Sequence, residues 1–291
     1  MHTSFLVALS QQVVLGDGAI GTMLQARGLP AGTLPEAWNL SQPEAVRDVH
    51  RAYVDAGARF VTTNTFGGNR VRLQEGGLRD DLVEINRLGV ALAKEAVAGR
   101  AWVAASVGPT GQLMDPYGPL TVEEAEEIFA EQIAALASGG ADLIKIETQH
   151  DADEACAAVR AAKSVSDLPV ICSFAFNLKG RTMMGLKPER AAQGAAAAGA
   201  DVVGANCGDG PEAVRVALEA MRAAVELPLF GQPNAGIPTA GHGAEATWDI
   251  TPQQLADHVA TYVAIGARVV SGCCGTSPEY VAAMAARLAQ E

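Results

Sequence analysis

The sequence predicts an α/β fold, a single (β/α)8 TIM barrel with its functional site at the carboxyl-terminal face of the strands. Short runs of β-forming residues alternate with longer helical patterns from one end of the chain to the other. There are eight such runs, which is the number of strand and helix units that closes a barrel. Similar helix-ending segments precede the even-numbered runs, as in a barrel built from pairs of units.

The eight runs are the predicted strands, and the stretches between them are long enough for crossover helices. No dinucleotide-binding fingerprint follows the first run, which disfavours the competing fold, a doubly wound open sheet. In order, the runs span residues 13–21, 59–67, 102–110, 142–148, 169–176, 201–208, 228–236 and 268–275.

Helix start signals support the predicted crossovers. Ser41 is expected to cap the helix between the first two runs, with Glu44 three residues further on as its capping-box partner. Similar start signals stand at Thr121 and Thr251. Each of these helices lies between two predicted strands, as the barrel requires.

Length and composition limit the possible functions. The chain has 291 residues, 49% of them hydrophobic, and a formal net charge of −12. This charge argues against nucleic acid or an anionic membrane as a partner. No apolar run reaches the roughly 18 residues needed to span a bilayer, and no signal peptide is evident, so a cytoplasmic protein is expected. In that reducing setting, clustered cysteines are more typical of metal binding or catalysis than of disulfides.

No linker interrupts the pattern, so residues 1–291 are predicted to form one domain. The longest irregular stretches, 28–42, 108–120 and 233–250, follow the first, third and seventh runs. Barrel enzymes build their sites from loops at these strand ends.

Three cysteines lie at such strand ends. Cys207 closes the sixth run, and Cys273 and Cys274 close the eighth, two strand spacings of about 4.8 Å away. Adjacent residues of a strand point to opposite faces, so both can reach one ion only if the strand breaks there, as Gly272 and Gly275 permit. The three sulfurs are then expected to share a zinc ion.

Three thiolates leave one tetrahedral position open, which is typical of a catalytic zinc site. A substrate thiol in that position would become a thiolate able to attack an electrophilic carbon. The spacing alone also admits a vicinal disulfide, a redox-active thiol or buried small hydrophobic residues. Cys156 and Cys172 are interpreted as packing residues.

Sequence motifs lie at seven of the eight runs, in order. They are LGDGAIGTML, TTNTFGGNR, GPTG, IET, GANCGDGPE, PNAG and SGCCGTSPEY. Together they resemble the homocysteine S-methyltransferase family, and most of all the homocysteine-binding module of cobalamin-dependent methionine synthase. The resemblance implies a zinc-dependent methyltransferase that converts homocysteine to methionine, with the metal on Cys207, Cys273 and Cys274.

The resemblance also implies how the amino acid is bound. Asp17 and Glu147 are expected to hold the substrate ammonium, helped by the region of Asn234. Asn206 is expected to orient or bond the adjacent cysteine, and Asn64 to line the mouth of the site. Backbone N–H groups at the turn into a helix suit the α-carboxylate; these are the amides of Gly18, Ala19, Ile20, Gly21 and Thr22.

Several methyl donors are compatible with the resemblance. Relatives that use betaine carry tyrosines where this chain has Gly67 and Thr148, so that part of an aromatic enclosure is missing. Methionine synthase has further modules for which 291 residues leave no room, so methylcobalamin on a separate corrinoid protein is the favoured donor. S-methylmethionine, betaine and a dimethylsulfonium compound are the alternatives.

Lys145 departs from the family pattern. It lies two residues before Glu147, on the same face of the predicted strand. One interpretation is a buried ion pair with a carboxylate inside the barrel. Another is an amine that forms a Schiff base, as in an aldolase. A third class of function is a protein that binds homocysteine on zinc without turnover.

Overall fold

All eight strands belong to one parallel sheet in the computed structural model, which describes residues 4–238 and 247–290. Each predicted run contains or overlaps one strand. Nearly all strand residues are buried, as expected for a parallel sheet with side chains on one face and helices on the other. The strands are β1 (Val14–Leu15), β2 (Phe60–Thr62), β3 (Trp102–Val107), β4 (Leu143–Gln149), β5 (Val170–Phe174), β6 (Val202–Cys207), β7 (Leu229–Pro233) and β8 (Ala267–Val270).

The two ends of the sheet meet, which makes it a barrel. Hydrogen-bonded neighbours follow the order β1-β8-β7-β6-β5-β4-β3-β2. The first and last strands of that order are joined where Gly16 bridges Phe60 and where the Arg59 N–H donates to Leu15 O at 2.7 Å. A Cβ at Gly16 would lie 2.2 Å from the Phe60 ring, so this approach requires glycine. The predicted (β/α)8 barrel is confirmed.

Helices surround the sheet. The main crossover helices pack with their apolar faces on the strands, which buries a core of aliphatic side chains between the two layers. No helix of the described residues is long and apolar enough to cross a bilayer. The α-helices in these residues are α1 (Phe5–Gln11), α2 (Gly21–Gln25), α3 (Trp38–Ser41), α4 (Pro43–Asp55), α5 (Arg70–Glu75), α6 (Leu82–Val97), α7 (Val122–Ser138), α8 (Ala152–Val165), α9 (Pro188–Ala198), α10 (Pro211–Arg222), α11 (Pro252–Ile265) and α12 (Pro278–Leu288).

Helix α1 covers the amino-terminal end of the barrel. Its Phe5 packs edge-on against Trp102 and Phe60, with ring centroids 5.7 and 6.3 Å apart. Arg268 Nε, on β8, donates to Leu9 O at 2.8 Å and ties the helix to the barrel. Because apolar side chains fill this end, the polar residues of the interior collect at the opposite, carboxyl-terminal end.

Two of the three predicted helix caps are confirmed. Thr121 and Thr251 begin α7 and α11, and each forms a complete capping box. The prediction for Ser41 is wrong, because Ser41 is the last residue of α3 and its hydroxyl donates to Ala37 O at 3.0 Å. Helix α4 instead starts at Pro43, whose fixed φ suits the first helical position.

The three irregular stretches all follow the carboxyl ends of strands. The first contains a 3-10 turn over Pro35–Ala37 followed by α3. In the second, Met114 and Leu120 form an isolated parallel bridge. Part of the third, 233–250, lies outside the described residues. The first of these stretches contributes directly to the site described next.

Candidate active site

Three cysteine sulfurs meet at the carboxyl-terminal end of the barrel. Cys207 is the last residue of β6, and Cys273 and Cys274 lie just beyond the end of β8 at Val270. The three Sγ atoms all lie within 4.8 Å of one another. The structure thus brings together the residues for which the sequence predicts a shared metal ion.

Close backbone contacts shape the chain around these sulfurs. Cys207 has a φ of 58°, in the left-handed region that residues other than glycine seldom occupy. A Cβ on the next residue, Gly208, would lie 2.0 Å from Phe176 O. After the cysteine pair, Gly275 has a φ of 80°, and a Cβ there would lie 2.2 Å from the Trp248 ring. Glycine is therefore required where the chain turns beside the sulfurs.

The three thiols hydrogen-bond one another. The bond with Cys273 lowers the pKa of Cys207, but the bond with Cys274 and burial raise it, to about 12 overall. The bond with Cys207 raises the pKa of Cys273 well above its usual range. The pKa of Cys274 is also raised, because the contact with Cys273 and burial outweigh the lowering by Cys207. A metal bound by all three would have to displace firmly held protons.

The sulfur cluster fits a zinc ion. Sulfurs around a tetrahedral zinc, at about 2.3 Å from the metal, lie about 3.8 Å apart. Separations of up to 4.8 Å therefore need only a small inward movement. Thiolates are soft ligands that favour zinc over magnesium or calcium. Three protein ligands also leave the fourth position for a substrate group.

A cavity of about 290 Å³ lies beside the cysteines. Three predicted site residues, Asp17, Asn206 and Asn234, are buried but do not line it. The predicted residues that do line it are segment 18–22, Asn64, Glu147 and the three cysteines.

A chain of polar contacts crosses the floor of this cavity. The Thr62 N–H and hydroxyl donate to the Asp17 carboxylate at 2.6 and 2.9 Å. Lys145 Nζ donates to Thr62 Oγ1 at 3.1 Å and pairs with Glu147 Oε2 at 3.0 Å. The Ser106 hydroxyl donates to the other Glu147 oxygen at 2.6 Å. The two carboxylates expected to hold one substrate ammonium are thus connected through Lys145.

Burial dominates the electrostatics of this floor. Asp17 is 1% exposed, and burial raises its pKa to about 7, although the Lys145 charge and the Thr62 hydrogen bonds act in the opposite direction. Lys145 is equally buried, and its Nζ lies 5.7 Å from the centroid of the Phe230 ring. Of the two interpretations of Lys145, the structure shows the ion pair inside the barrel.

Segment 18–22 turns into α2, as the sequence predicts. The Ala19 N–H donates to Thr276, whose carbonyl and hydroxyl oxygens both lie at 3.2 Å. Tyr53 holds the same turn, because its hydroxyl donates to Ala19 O at 2.7 Å. Since the Ala19 amide is engaged within the protein, a ligand carboxylate would have to use the other N–H groups of the segment.

Asn206 bonds neighbouring strands. Its Oδ1 accepts from the Thr148 N–H at 2.8 Å and from the Ser173 hydroxyl at 2.7 Å, while its Nδ2 donates to Thr148 Oγ1 at 2.8 Å. The sequence-based expectation was a contact that orients Cys207 or bonds its sulfur. The observed contacts act instead on Thr148, the residue after Glu147.

The side chains of Asn64 and Asn234 form hydrogen bonds with loops around the cavity. Asn64 Nδ2 donates to Pro35 O at 2.7 Å and to Asn39 Oδ1 at 3.0 Å, which fixes stretch 28–42 to the cavity wall. Asn234 Nδ2 donates to Gly208 O at 3.0 Å. Asn234 therefore holds the backbone that follows the first cysteine.

Sequence reasoning missed Glu36, a carboxylate in the cavity wall. Glu36 is 2% exposed, and its Oε1 accepts from the Gly67 N–H at 2.5 Å. Its Oε2 is buried without a hydrogen-bond partner among the described residues. Burial raises its pKa. The available signal was the position of Glu36 in an irregular stretch at a strand end, where no motif distinguishes it from its neighbours.

Comparison with known proteins points to one family. Residues 14–288 match the sequence model described as homocysteine S-methyltransferase. The chain is 31% identical over 308 residues to the methionine synthase of Mycobacterium tuberculosis, and 30% over 309 residues to that of Mycobacterium leprae. Each alignment covers 99% of this chain and 25% of the relative. The chain therefore spans about a quarter of the length of these methionine synthases.

Solved structures agree with the sequence match. The metallated form of the homocysteine methyltransferase MmuM from Escherichia coli has a TM-score of 0.81 and 27% identity, over 97% of this chain and 99% of that one. Its oxidized form gives a TM-score of 0.82, also at 27% identity. A methyltransferase from Methanosarcina mazei, at 13% identity and a TM-score of 0.63, shares the fold.

Proposed function

Because the chain belongs to the homocysteine S-methyltransferase family, we propose that it methylates the thiol of homocysteine to give methionine, using zinc held by its clustered cysteines. The observation that carries the proposal is that the Sγ atoms of Cys207, Cys273 and Cys274 lie within 4.8 Å of one another. They do so at the wall of a cavity that Glu147 also lines. The metallated form of the similar Escherichia coli enzyme supports a metal-dependent reaction.

Zinc on these thiolates would supply the positive charge that makes an incoming thiol a thiolate at neutral pH. The acceptor sulfur then forms the new S–CH3 bond while the bond from the donor to the methyl group breaks, and that electron pair stays with the donor. Because the thiol proton leaves before the transfer, the chain needs no general base for the methylation step.

The residues around the cavity bind and orient the acceptor. Glu147 presents a carboxylate at the cavity floor, with Asp17 connected behind it through Thr62 and Lys145. The backbone N–H groups of segment 18–22 other than that of Ala19 are proposed to bind the carboxylate. A volume of about 290 Å³ suits a small amino acid.

Methylcobalamin carried by a separate corrinoid protein is the proposed donor, and S-methylmethionine, betaine and dimethylsulfonium compounds are the alternatives. The resemblance to the homocysteine-binding module of cobalamin-dependent methionine synthase supports the first, and the Escherichia coli homocysteine methyltransferase shows that a barrel of this size can occur as a separate chain. Gly67 and Thr148 both line the cavity, so neither position supplies an aromatic ring for the quaternary ammonium of betaine. The cytoplasm expected from the sequence would keep the three thiols reduced.

The test is a methylation assay on zinc-loaded protein with homocysteine and each of the four donors in parallel. Methionine formation that requires zinc and is abolished by Cys274→Ser supports the proposal. Tight binding of homocysteine without methionine from any donor would indicate a binding protein instead. Full activity in metal-free protein would rule out the role of the cysteines as zinc ligands.

A further inference from the structure

Lys145 places a positive charge at the position where the acceptor ammonium is expected. Its Nζ lies 3.0 Å from Glu147 Oε2 and 3.1 Å from Thr62 Oγ1, the hydroxyl that donates to Asp17. Lys145 lines the cavity, yet it is only 1% exposed. An ammonium group built into the protein therefore already occupies the space between the two carboxylates.

The hydrogen-bonding capacity of both carboxylates is largely used within the protein. Both Asp17 oxygens accept from Thr62, and Asp17 does not line the cavity. Glu147 Oε1 accepts from the Ser106 hydroxyl at 2.6 Å. Its Oε2 forms the ion pair with Lys145 Nζ and also accepts a hydrogen bond from Gln232 Nε2 at 3.4 Å. An incoming ammonium would thus meet a carboxylate that already has three donors and a neutralising charge.

A second ammonium at Glu147 would also lie close to Lys145. Like charges a few ångströms apart repel strongly in a buried site, where little water screens them. Lys145 attracts a carboxylate instead of repelling it, and the N–H groups of segment 18–22 other than that of Ala19 are proposed to bind that carboxylate. The charges of the cavity floor therefore suit an acidic thiol better than a zwitterionic one.

We propose that Lys145 takes the place of the acceptor's ammonium, so that the site recognises its substrate by the thiol and the carboxylate alone. A mercapto acid of the same length as homocysteine but without the amino group, 4-mercaptobutyrate, is then accepted at least as well as homocysteine. This inference rests on the proposed thiol methylation and changes only the class of acceptor. The thiol still loses its proton and gains the methyl group that leaves the donor.

The test measures the dissociation constants of homocysteine and 4-mercaptobutyrate by isothermal titration calorimetry on zinc-loaded wild-type protein. Binding can be measured whichever methyl donor the enzyme uses. The inference predicts that 4-mercaptobutyrate binds as tightly as homocysteine or more tightly. A tenfold or greater preference for homocysteine would overturn it. If neither thiol binds in a zinc-dependent way, the proposed function fails together with the inference.

The same measurement on Lys145→Met is the second part of the test, because this substitution removes the charge and keeps an unbranched side chain. It should shift the ratio of the two dissociation constants at least tenfold toward homocysteine, because the substrate ammonium can then pair with Glu147. Lys145→Arg keeps the charge and should retain the wild-type ratio. Lys94→Met, which removes the surface ion pair with Asp142, is the matched control and should leave the ratio unchanged. An unchanged ratio in folded Lys145→Met would contradict the inference.

Discussion

Asn206 on β6 fixes Thr148 on β4 across the intervening strand. The Asn206 carboxamide accepts from the Thr148 N–H and donates to Thr148 Oγ1, both at 2.8 Å, and it also accepts from Ser173 on β5. Thr148 has a φ of 62°, and the register of β4 against β5 shifts at this position. A β-branched residue seldom adopts this conformation unless its surroundings impose it. Asn206 therefore stabilises the backbone that positions Glu147.

Replacing Asn206 by alanine should lower the free energy of unfolding by about 1–3 kcal/mol, because the partly buried Thr148 N–H and the buried Ser173 hydroxyl lose their acceptor. Chemical denaturation measures the change. Asn177→Ala removes a carboxamide that bonds only an exposed turn, and should cost about 0.5 kcal/mol or less. Equal losses in the two variants would show that Asn206 has no special role in holding β4.

Each single serine substitution at Cys207, Cys273 or Cys274 should remove bound zinc while leaving the barrel folded. A lost thiolate should weaken zinc binding beyond the roughly 10–100-fold caused by losing an outer hydrogen-bond partner. Metal analysis after gel filtration, together with circular dichroism, checks both statements. Cys156→Ser is the matched control, because Cys156 lies on α8 outside the sulfur cluster. A Cys274→Ser variant with full zinc content would refute the ligand assignment.

Asp17 should make the protein less stable as the pH rises from about 4 to about 7. Burial raises its pKa from 3.8 to about 7, so in this window the folded state holds a proton that the unfolded state has released. Stability then falls with rising pH, by an amount on the order of a few kcal/mol across the window.

Asp17→Asn should remove this contribution, because asparagine can keep both contacts with Thr62 without titrating. The measurement is the denaturation midpoint of both proteins between these pH values. Their difference should shift steadily in favour of the variant as the pH rises. A constant difference would show that Asp17 does not titrate in this range.

The fold could be predicted because its signals are local and repeated. Each strand of the parallel barrel is a short buried run, and each is followed by a helix with its own start and stop signals. The error at Ser41 has a local cause as well, since Ser41 ends α3 and Pro43, two residues further on, begins α4. Where one helix ends and the next begins is settled by backbone geometry, which the sequence shows only indirectly.

The candidate site was predictable where topology determines position. Cys207 and the Cys273–Cys274 pair close strands separated by one other strand, so barrel closure alone brings them to one end. The contacts of Lys145 were not predictable in the same way, because they depend on side-chain reach across the barrel to Thr62 and Glu147. The sequence left two interpretations of Lys145 open, and the structure shows the ion pair.

Zinc affinity should depend steeply on pH, because binding must displace protons from three thiols. The pKa of Cys207 is about 12, and those of Cys273 and Cys274 are also raised, so all three are protonated near neutrality. Each displaced proton contributes a factor of ten per pH unit, which gives up to about a thousandfold gain in apparent affinity per unit. Competition with a chelator of known affinity at a series of pH values measures this slope. In Cys274→Ser the slope should fall by the factor of ten that belongs to one thiol, whereas Cys156→Ser should keep the wild-type slope. A wild-type gain of only tenfold per unit would mean that zinc binds through a single thiolate, and the three-cysteine site would have to be abandoned.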